Sequence, residues 1–477
     1  MLLRKVWESI VPGNSSSSNR NPATRVTTGI GSLDVLPEDV LGIILRKLGP
    51  EDAGKLCVVC RSWRRIVISD NRLWINIFQT NPNNLWDLDS IFFSEIQLPR
   101  QLSVSVSLMH LYGQRAKVPG AVIVDGGSGY CKFGWSKHPR PSGRSATFLE
   151  FGNIEAPMYS RLRHFYATIY SRMQVKSTAQ PIVVSIPICH YDDTESAKAS
   201  RRQLKGAIYS ALFDMNVPSV CAINQATLAL YAARRTSGIV VNIGFHQTSV
   251  APSIICCLLM LHHACAFPHF LHGKIMRKVG VEVVGMGALK LTGFLREQMQ
   301  QQNIYFESLY TVRELKENLC YVALDYEAEL SKDTLRSYKV PREGVFALSK
   351  ERFQTGEILF QPRLAGVRAM GLHQAVALCM EHCHAAELMG DDNWFKTVVL
   401  CGGTACLPGL AERLEKELHE LLPLYLTTGI SVIPPPHGVD SAWHGARLIS
   451  NLSTFPGAWC MTKKQLKHKY RRNRLGS

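Results

Sequence analysis

Two glycine-rich turns are the parts of this sequence best suited to chemistry. The first, residues 125–129, reads Asp-Gly-Gly-Ser-Gly and directly follows the β-branched run 121–124. Glycines let backbone N–H groups approach a phosphate, because no side chain stands in the way. Asp125 could hold a metal-bound water, and Lys132 is placed to reach phosphate oxygens. By itself the motif is not specific, since an ordinary tight turn has the same composition.

The second glycine turn follows another apolar run near the far end of the chain. Gly402-Gly403-Thr404 comes directly after residues 397–400, and a helix is predicted from about Pro408-Gly409. Two such turns, each after a buried strand and widely separated in sequence, suit a ligand held in a cleft between two lobes. The pair therefore indicates a nucleotide more specifically than either turn does alone.

The elements that must position these turns alternate between strands and helices. Short runs of the buried-strand type occupy residues 121–124, 182–184, 239–241 and 397–400. Helical patterns fall between them, including 200–213 and 407–422. This alternation predicts an α/β fold with a largely buried sheet over residues 119–464.

The chain before residue 119 has a different pattern. Residues 1–30 are predicted to be disordered, because they are too polar to offset the loss of chain entropy. Within residues 31–80 the apolar positions of 36–48 have helical spacing, and two further short helices are predicted before Trp74. Residues 81–118 have mixed composition and are predicted to be a connector.

Composition sets the class of protein. The 477 residues are 46% apolar and 19% charged, which is typical of a globular chain of more than one domain. The 14 cysteines show no framework spacing, and Arg4 and Lys5 interrupt any N-terminal signal segment. Both features predict an intracellular, reducing location and no membrane anchor.

The net charge of +16 is partly concentrated in a basic tail, residues 465–477. Such a tail is a solvated terminus, a nuclear import signal or a contact for an anionic surface. No helix-turn-helix, finger or RNA-binding aromatic pattern accompanies it, so sequence-specific nucleic-acid binding is not expected.

Taken in order, several motifs resemble the actin family from about Pro119 to about Lys464. The first glycine turn is similar to the first phosphate loop of actin, and Gln225 lies in a segment similar to its connecting helix. Residues 312–325 are a close match to the helix that contacts ribose and adenine. Gly402-Gly403-Thr404 resembles the adenosine loop. The resemblance implies the two-lobed nucleotide-binding fold shared by actin, Hsp70 and hexokinase.

Carried over residue by residue, the resemblance implies a nucleotide site and a cofactor. The cofactor would be ATP or ADP with Mg²⁺, bound weakly, and no transition metal is implied. Gln225 would lie near the attacking water, with Asp125 as the other catalytic remnant. The implied nucleotide-binding residues are Asp125, Gly127, Ser128, Gly129, Lys132, Arg313, Lys316, Glu317, Gly402, Gly403 and Thr404.

The second phosphate loop departs from the actin pattern. Asn242 and Phe245 stand where the family has aspartates, and Val439 replaces a lysine that faces the adenine. Hydrolysis needs a metal held by oxygen ligands and an oriented water. We therefore expect weak or absent ATPase activity. The departure also disfavours an ATPase or sugar kinase of the same fold superfamily.

The N-terminal helices resemble an F-box, the helical module that binds the Skp-type adaptor of cullin-RING ubiquitin ligases. The alternative interpretation is a generic amphipathic helical cap. An F-box ahead of an actin-like domain is similar to plant actin-related proteins. The implied adaptor-binding residues are Leu36, Pro37, Val40, Ile44, Leu48, Val59, Cys60, Trp63, Leu73 and Trp74.

Two hypotheses for function follow from the resemblance. In the first, the protein is a substrate-recognition or scaffold subunit of an SCF-type ubiquitin ligase, with an unknown target. In the second, it is a nuclear actin-like subunit of a chromatin-remodelling assembly with a vestigial F-box. Both place it in the nucleus, the nucleolus included, or in the cytoplasm.

Two segments differ in length from the actin pattern. The stretch between the first turn and residue 182 is short, which predicts a monomer that does not form filaments. Residues 253–271 are longer than the family needs, and we interpret them as an anomalous insertion, an artefact of the gene model such as translated intron. A zinc site is disfavoured because the spacing fits no usual pattern, and a membrane helix because the apolar run is short. The metal-ligand candidates in this stretch are Cys256, Cys257, His262, His263 and Cys265.

Overall fold

The computed structural model describes residues 37–79, 107–147, 155–188, 192–255, 274–306, 308–387 and 392–475. These residues divide into two compact units, one made of residues 37–79 and 107–117 and the other of the described residues from Val118 onward. The predicted disorder of residues 1–30 and the predicted role of Leu36 lie outside the described residues.

The first unit is helical, as its spacing predicts. Helix α1 begins directly after Pro37, whose fixed φ suits a helix start, and ends before Gly49. The core of the unit is apolar and almost fully buried, with Leu45, Val67 and Leu73 at 0% exposure. The helices are α1 Glu38–Lys47, α2 Pro50–Val59, α3 Arg61–Ser69, α4 Asn71–Gln79 and α5 Leu108–Ala116.

Helix α5 corrects the prediction that residues 81–118 form only a connector. Leu108 and Leu111 are buried in the same core as α1 to α4, and the Tyr112 ring lies 5.5 Å from that of Trp74. The mixed composition of the segment concealed the helix, because only one side of α5 is apolar. Residues 80–106 lie outside the described residues.

The second unit is α/β. Its strands are β1 Val122–Gly126, β2 Tyr130–Trp135, β3 Gly143–Ala146, β4 Ile182–Ile186, β5 Val220–Asn224, β6 Ser237–Ile243, β7 Thr248–Ile254, β8 Lys274–Ile275, β9 Glu282–Val284, β10 Arg336–Val340, β11 Gly344–Leu348, β12 Thr397–Cys401 and β13 Ser431–Ile433. Its α-helices are α6 Met158–Arg172, α7 Glu195–Asp214, α8 Gln225–Ala232, α9 Ala288–Gln301, α10 Leu309–Leu319, α11 Tyr326–Leu330, α12 Glu351–Glu357, α13 Leu372–Ala385, α14 Leu410–Leu421, α15 Leu424–Thr427, α16 Ser441–Ile449 and α17 Lys463–Leu475.

Two sheets of the same topology form the two lobes of this unit. The first has the strand order β3-β2-β1-β4-β5 and the second β8-β7-β6-β12-β13, with β9 also paired to β7. In each, a hairpin precedes two parallel strands. The β1–β2 and β6–β7 turns therefore occupy equivalent positions in the two lobes. This arrangement confirms the predicted two-lobed α/β fold.

A shared apolar core joins the two lobes. Helices α8 and α16 pack against each other, and their buried side chains lie with those of the central strands of both sheets. Trp443 and Trp459 are almost completely buried there. The strands that meet this core are β-branched, which explains why the sequence predicts them as buried strands.

Two predicted boundaries change in the structure. Ser253 and Ile254 belong to strand β7, where they pair with Ile275 and Lys274, so the predicted insertion does not begin at residue 253. Residues 256–273 lie outside the described residues. The predicted basic tail is mainly helix α17, and its Leu466 is buried in the core of the first lobe. No helix within the described ranges is long and apolar enough to cross a membrane.

Candidate functional site

The first glycine turn presents Asp125 at the end of strand β1. One carboxylate oxygen, Oδ1, accepts hydrogen bonds from Ser185 Oγ at 2.6 Å and from Gln225 Nε2 at 3.0 Å. The other, Oδ2, lies 3.4 Å from Lys132 Nζ. Asp125 and Lys132 face each other because they are directly paired across the β1–β2 hairpin. Asp125 is 3% exposed, and protein groups already contact both of its carboxylate oxygens.

Lys132 does not extend freely towards the cleft. Its ammonium donates to the backbone carbonyl of Val439 and lies 4.0 Å from Asp440 Oδ1. Arg144 Nη2 also donates to Asp440 Oδ1, at 2.7 Å. These two cations hold the turn at Gly438–Asp440 against the hairpin of the first lobe. The predicted phosphate lysine is therefore partnered by the protein itself.

The turn between β6 and β7, residues 244–247, packs against the first glycine turn. A Cβ atom added to Gly129 would lie 2.7 Å from Cδ2 of Phe245, so the phenyl ring packs directly on the Gly129 backbone. The carbonyls of Gly244 and Phe245 accept hydrogen bonds from the N–H groups of Ala288 and Leu289, each at 2.9 Å. Hydrogen bonds from the start of helix α9 thus hold the β6–β7 turn in place, and the Phe245 side chain of this turn covers the first glycine turn.

Asn242 is the last member of a series of hydrogen bonds that connects the two lobes. Its amide Nδ2 donates to Gln225 Oε1 at 3.4 Å, and Gln225 in turn donates to Asp125. Gln225 is the first residue of helix α8, which begins where strand β5 ends. A neutral amide therefore stands where the actin pattern requires a carboxylate.

The second glycine turn, Gly402-Gly403-Thr404, meets the end of strand β6 beside the β6–β7 turn. Gly402 has a φ of +96°, and a Cβ atom there would lie 2.3 Å from the carbonyl oxygen of Ile243, so glycine is required at this close approach. Thr404 is 4% exposed, and within the described residues its Oγ1 has no hydrogen-bond partner. The structure thus brings Gly402, Gly403 and Thr404 to the same cleft as the first turn.

Helix α10 contributes two predicted site residues to the cleft and directs a third elsewhere. The Arg313 guanidinium lies 4.2 Å from the Tyr130 ring centroid, and its Nε donates to Glu317 Oε1 at 2.7 Å. Lys316 is 3% exposed and donates to the Ala288 carbonyl at 3.1 Å and to Thr292 Oγ1 at 2.9 Å. Lys316 therefore ties α10 to α9, and its predicted contact with a nucleoside stays a prediction.

The F-box residues divide into a core and a surface. Trp63, Leu73 and Trp74 are at most 5% exposed, and Trp74 Nε1 donates to the Val67 carbonyl at 2.8 Å. They hold the helices together, and their predicted contact with an adaptor stays a prediction. Ile44 and Val59 are exposed at 37% and 67%. The other predicted residues described here are the exposed Pro37 and the half-buried Val40, Leu48 and Cys60.

Comparisons with known proteins agree with both resemblances. An actin family model matches residues 280–469, and an F-box-like model matches residues 33–80. The chain is 61% identical to actin-related protein 8 of Arabidopsis thaliana, over 99% of each chain. It is 57% identical to actin-related protein 8 of Oryza sativa, of both the indica and the japonica subspecies, over 99% of this chain and 98% of the relatives. The chain belongs to the actin-related protein family.

An actin-related protein is expected to hold a nucleotide with Mg²⁺, but the residues of this cleft do not fit that group. Mg²⁺ prefers several oxygen ligands in near-octahedral geometry. Here both Asp125 oxygens already contact protein groups, Asn242 supplies a neutral amide in place of a carboxylate, and Phe245 supplies no oxygen ligand. Its ring also covers the backbone of Gly129, where the actin pattern places a phosphate. No catalytic step through Mg-nucleotide follows from this arrangement.

Some residues of this actin-related protein were missed from the sequence. Ser185, which bonds both Asp125 and the Gly126 N–H, could have been noticed as the single polar residue in the apolar strand β4. Tyr130 could not, because its contact with Arg313 depends on how the two lobes meet. The exposed Val58 and Ile43 carry no sequence signal that separates them from core residues of the same helices.

Proposed function

We propose that this protein is a substrate-recognition or scaffold subunit of an SCF-type ubiquitin ligase. The apolar surface of its F-box helices would bind a Skp-type adaptor, and its actin-like unit would serve as a recognition platform for a target protein. The match of residues 33–80 to an F-box-like family supports this function. The single observation that carries it is the exposure of apolar side chains on α1 and α2.

That exposure is large and occurs in adjacent pairs. Val58 and Val59, at the end of α2, are 85% and 67% exposed, and Ile43 and Ile44, on α1, are 51% and 37% exposed. Single exposed apolar residues need no explanation, but adjacent pairs on short helices favour a surface that a partner buries. Fully burying one exposed valine side chain is worth about 1.5–3 kcal/mol before the costs of association are subtracted.

The test is the affinity of a purified Skp-type adaptor for the whole chain and for a Val58→Glu/Val59→Glu variant, by calorimetry. We expect binding by the unchanged protein and a loss of about a hundredfold in the variant, because about 3 kcal/mol of apolar burial is removed. The matched control is Leu424→Glu/Tyr425→Glu, an equally exposed apolar pair on α15 in the actin-like unit. No binding by the unchanged protein would overturn the proposal and favour a chromatin-remodelling subunit instead.

We also propose that the actin-like cleft binds ATP or ADP weakly at most and does not hydrolyse ATP. The covering of Gly129 by Phe245 supports this, as do the engaged oxygens of Asp125. We further propose an intracellular location, nuclear or cytoplasmic. The described cysteines form no disulfide, which is typical of a reducing compartment.

A further inference from the structure

A basic cavity lies in the actin-like unit, and none of the predicted nucleotide-binding residues is among the described residues that line it. Its volume is about 300 Å³, at the small end for a ligand pocket. It opens where the parallel strands β4 and β5 end, at the paired residues Ile186 and Asn224. The five basic side chains that line it are Lys198, Arg201, Arg202, Lys205 and Arg277.

Helix α7 concentrates four of these cations on one face. Lys198, Arg201, Arg202 and Lys205 follow each other at intervals of three, one and three residues, and residues three or four apart are neighbours on a helix surface. Arg277, which follows strand β8, adds a fifth cation from the other lobe. The helix spacing and the fold therefore converge positive charge on one small volume.

The acidic groups nearby neutralise only part of this charge. Lys198 pairs with Asp193 at 3.4 Å and with Glu195 at 3.0 Å, and Arg201 Nη2 lies 3.9 Å from Asp193. Among the residues that the structure describes, neither Arg202 nor Lys205 makes an ion pair. Like charges held together in this way attract an anion strongly, because the surroundings screen them less than water does.

The surroundings of Lys205 show most clearly that positive charge is in excess here. Its ammonium lies 5.9 Å from the Tyr209 ring centroid, and burial, followed by repulsion from Lys469 of helix α17, lowers its pKa. Helix α17 packs close to α7 here, since the Tyr470 hydroxyl would lie 3.0 Å from a Cβ atom added to Gly206. A multiply charged anion in the cavity would lie beside Lys205 and offset part of this repulsion.

We propose that this cavity binds a compact ligand that carries several phosphate groups and no aromatic base. Several phosphates match five convergent cations, and arginines bind phosphate oxygens in a bidentate fashion. Within the described residues no aromatic side chain lines the cavity, so a base would find no aromatic ring to stack on there. An inositol polyphosphate has this chemistry, either free or as the headgroup of a phosphoinositide lipid.

The test is isothermal titration of the whole chain with myo-inositol hexakisphosphate, with inorganic triphosphate and with ATP. We expect the hexakisphosphate to bind at least about tenfold more tightly than ATP, because it presents more phosphates and no base. An Arg202→Gln/Lys205→Gln variant should lose at least about tenfold in affinity. The matched control, Arg336→Gln/Lys339→Gln on strand β10, removes the same charge from exposed positions and should bind normally.

Two further measurements, on a single variant and on lipid vesicles, complete the test. Arg202 is exposed, so Arg202→Gln alone leaves the fold intact and should show a smaller loss in the same direction. Flotation with phosphatidylcholine vesicles, with and without phosphatidylinositol bisphosphate, distinguishes a lipid headgroup from a free ligand. Equal weakening in both double variants, ATP binding as tight as hexakisphosphate binding, or no binding to any probe would overturn the proposal.

Discussion

At the scale of single residues, the Phe245 ring determines what the cleft can bind. The ring belongs to the β6–β7 turn and covers the first glycine turn. It packs on the Gly129 backbone, and Asn242 beside it supplies an amide in place of a carboxylate. We expect an Asn242→Asp/Phe245→Asp variant to bind MgATP at least about tenfold more tightly than the unchanged chain, because two metal-directed carboxylates return and the first turn is uncovered. Titration with MgATP measures the gain.

The control for this prediction is Phe245→Leu, which keeps an apolar side chain and restores no carboxylate. It should gain little affinity, and excess EDTA should abolish the gain of the double variant. Tight MgATP binding with hydrolysis by the unchanged chain would contradict the proposed inactivity. An unchanged affinity in the double variant would show that these two residues are not the block.

Lys316 is a second residue whose environment departs from the actin pattern. Burial lowers its pKa to about 8, from an ordinary value of 10.5. The unfolded chain therefore binds this proton more tightly than the folded protein does. The free energy of unfolding should rise by up to about 3 kcal/mol as the pH increases from the folded to the unfolded pKa.

Urea unfolding of the unchanged chain and of Lys316→Met, between neutral pH and pH 10, measures this contribution. The variant should be at least as stable at neutral pH, because a buried charge is removed, and it should lack the rise at alkaline pH. Lys332→Met, at an exposed lysine, controls for other titrating groups and should behave like the unchanged chain. Parallel stability curves for the unchanged chain and Lys316→Met would contradict the assignment.

At the scale of elements, helix α4 supports the F-box surface without forming it. Trp74 is 2% exposed, and its Nε1 bonds the Val67 carbonyl of α3. We expect Trp74→Ala to lower the free energy of unfolding of this unit by about 3–5 kcal/mol and to weaken adaptor binding as a consequence. Val58→Glu/Val59→Glu should weaken binding with little change in stability. Thermal unfolding followed by circular dichroism, beside the adaptor titration, separates the two effects. Equal stability losses in both variants would contradict this division.

The elements themselves could be predicted because their patterns are local. The β-branched runs at 182–184 and 397–400 became strands β4 and β12, and the two short helices predicted before Trp74 became α2 and α3. Helix α14 begins at Leu410, close to the predicted Pro408-Gly409. Periodicity and capping residues specify these features without reference to the rest of the fold.

The site could be predicted only in part, because side-chain direction depends on packing between elements. Lys316 matches the family motif, yet its ammonium is taken up by α9. Lys132 matches as well, yet it bonds the distant Val439 carbonyl. Trp63 has the spacing of a contact residue but is part of the core. Motif and periodicity identify these residues, but neither says what each will touch.

At the scale of the whole chain, the matched topology of the two sheets in the actin-like unit explains why the β1–β2 and β6–β7 turns meet. Each sheet places a hairpin turn at the equivalent edge, and a shared apolar core holds the lobes together. Phe245 and Gly129 face each other because each belongs to one of these hairpin turns. The cleft is therefore a property of the fold, and its chemistry depends on the few side chains within it.

The length of one segment in the actin-like unit predicts that the protein is a monomer. Actin uses a small outer subdomain in its filament, and residues 147–157, between β3 and α6, are too few to form one. We expect a single monomeric species in sedimentation velocity over a wide range of concentration, under salt and magnesium conditions that polymerise actin, with actin itself as the control. A sharp critical concentration and rapidly sedimenting polymer would show that another surface replaces the outer subdomain. A weak, gradual increase in sedimentation coefficient would instead indicate self-association without the cooperativity of a filament, and would also contradict the monomer.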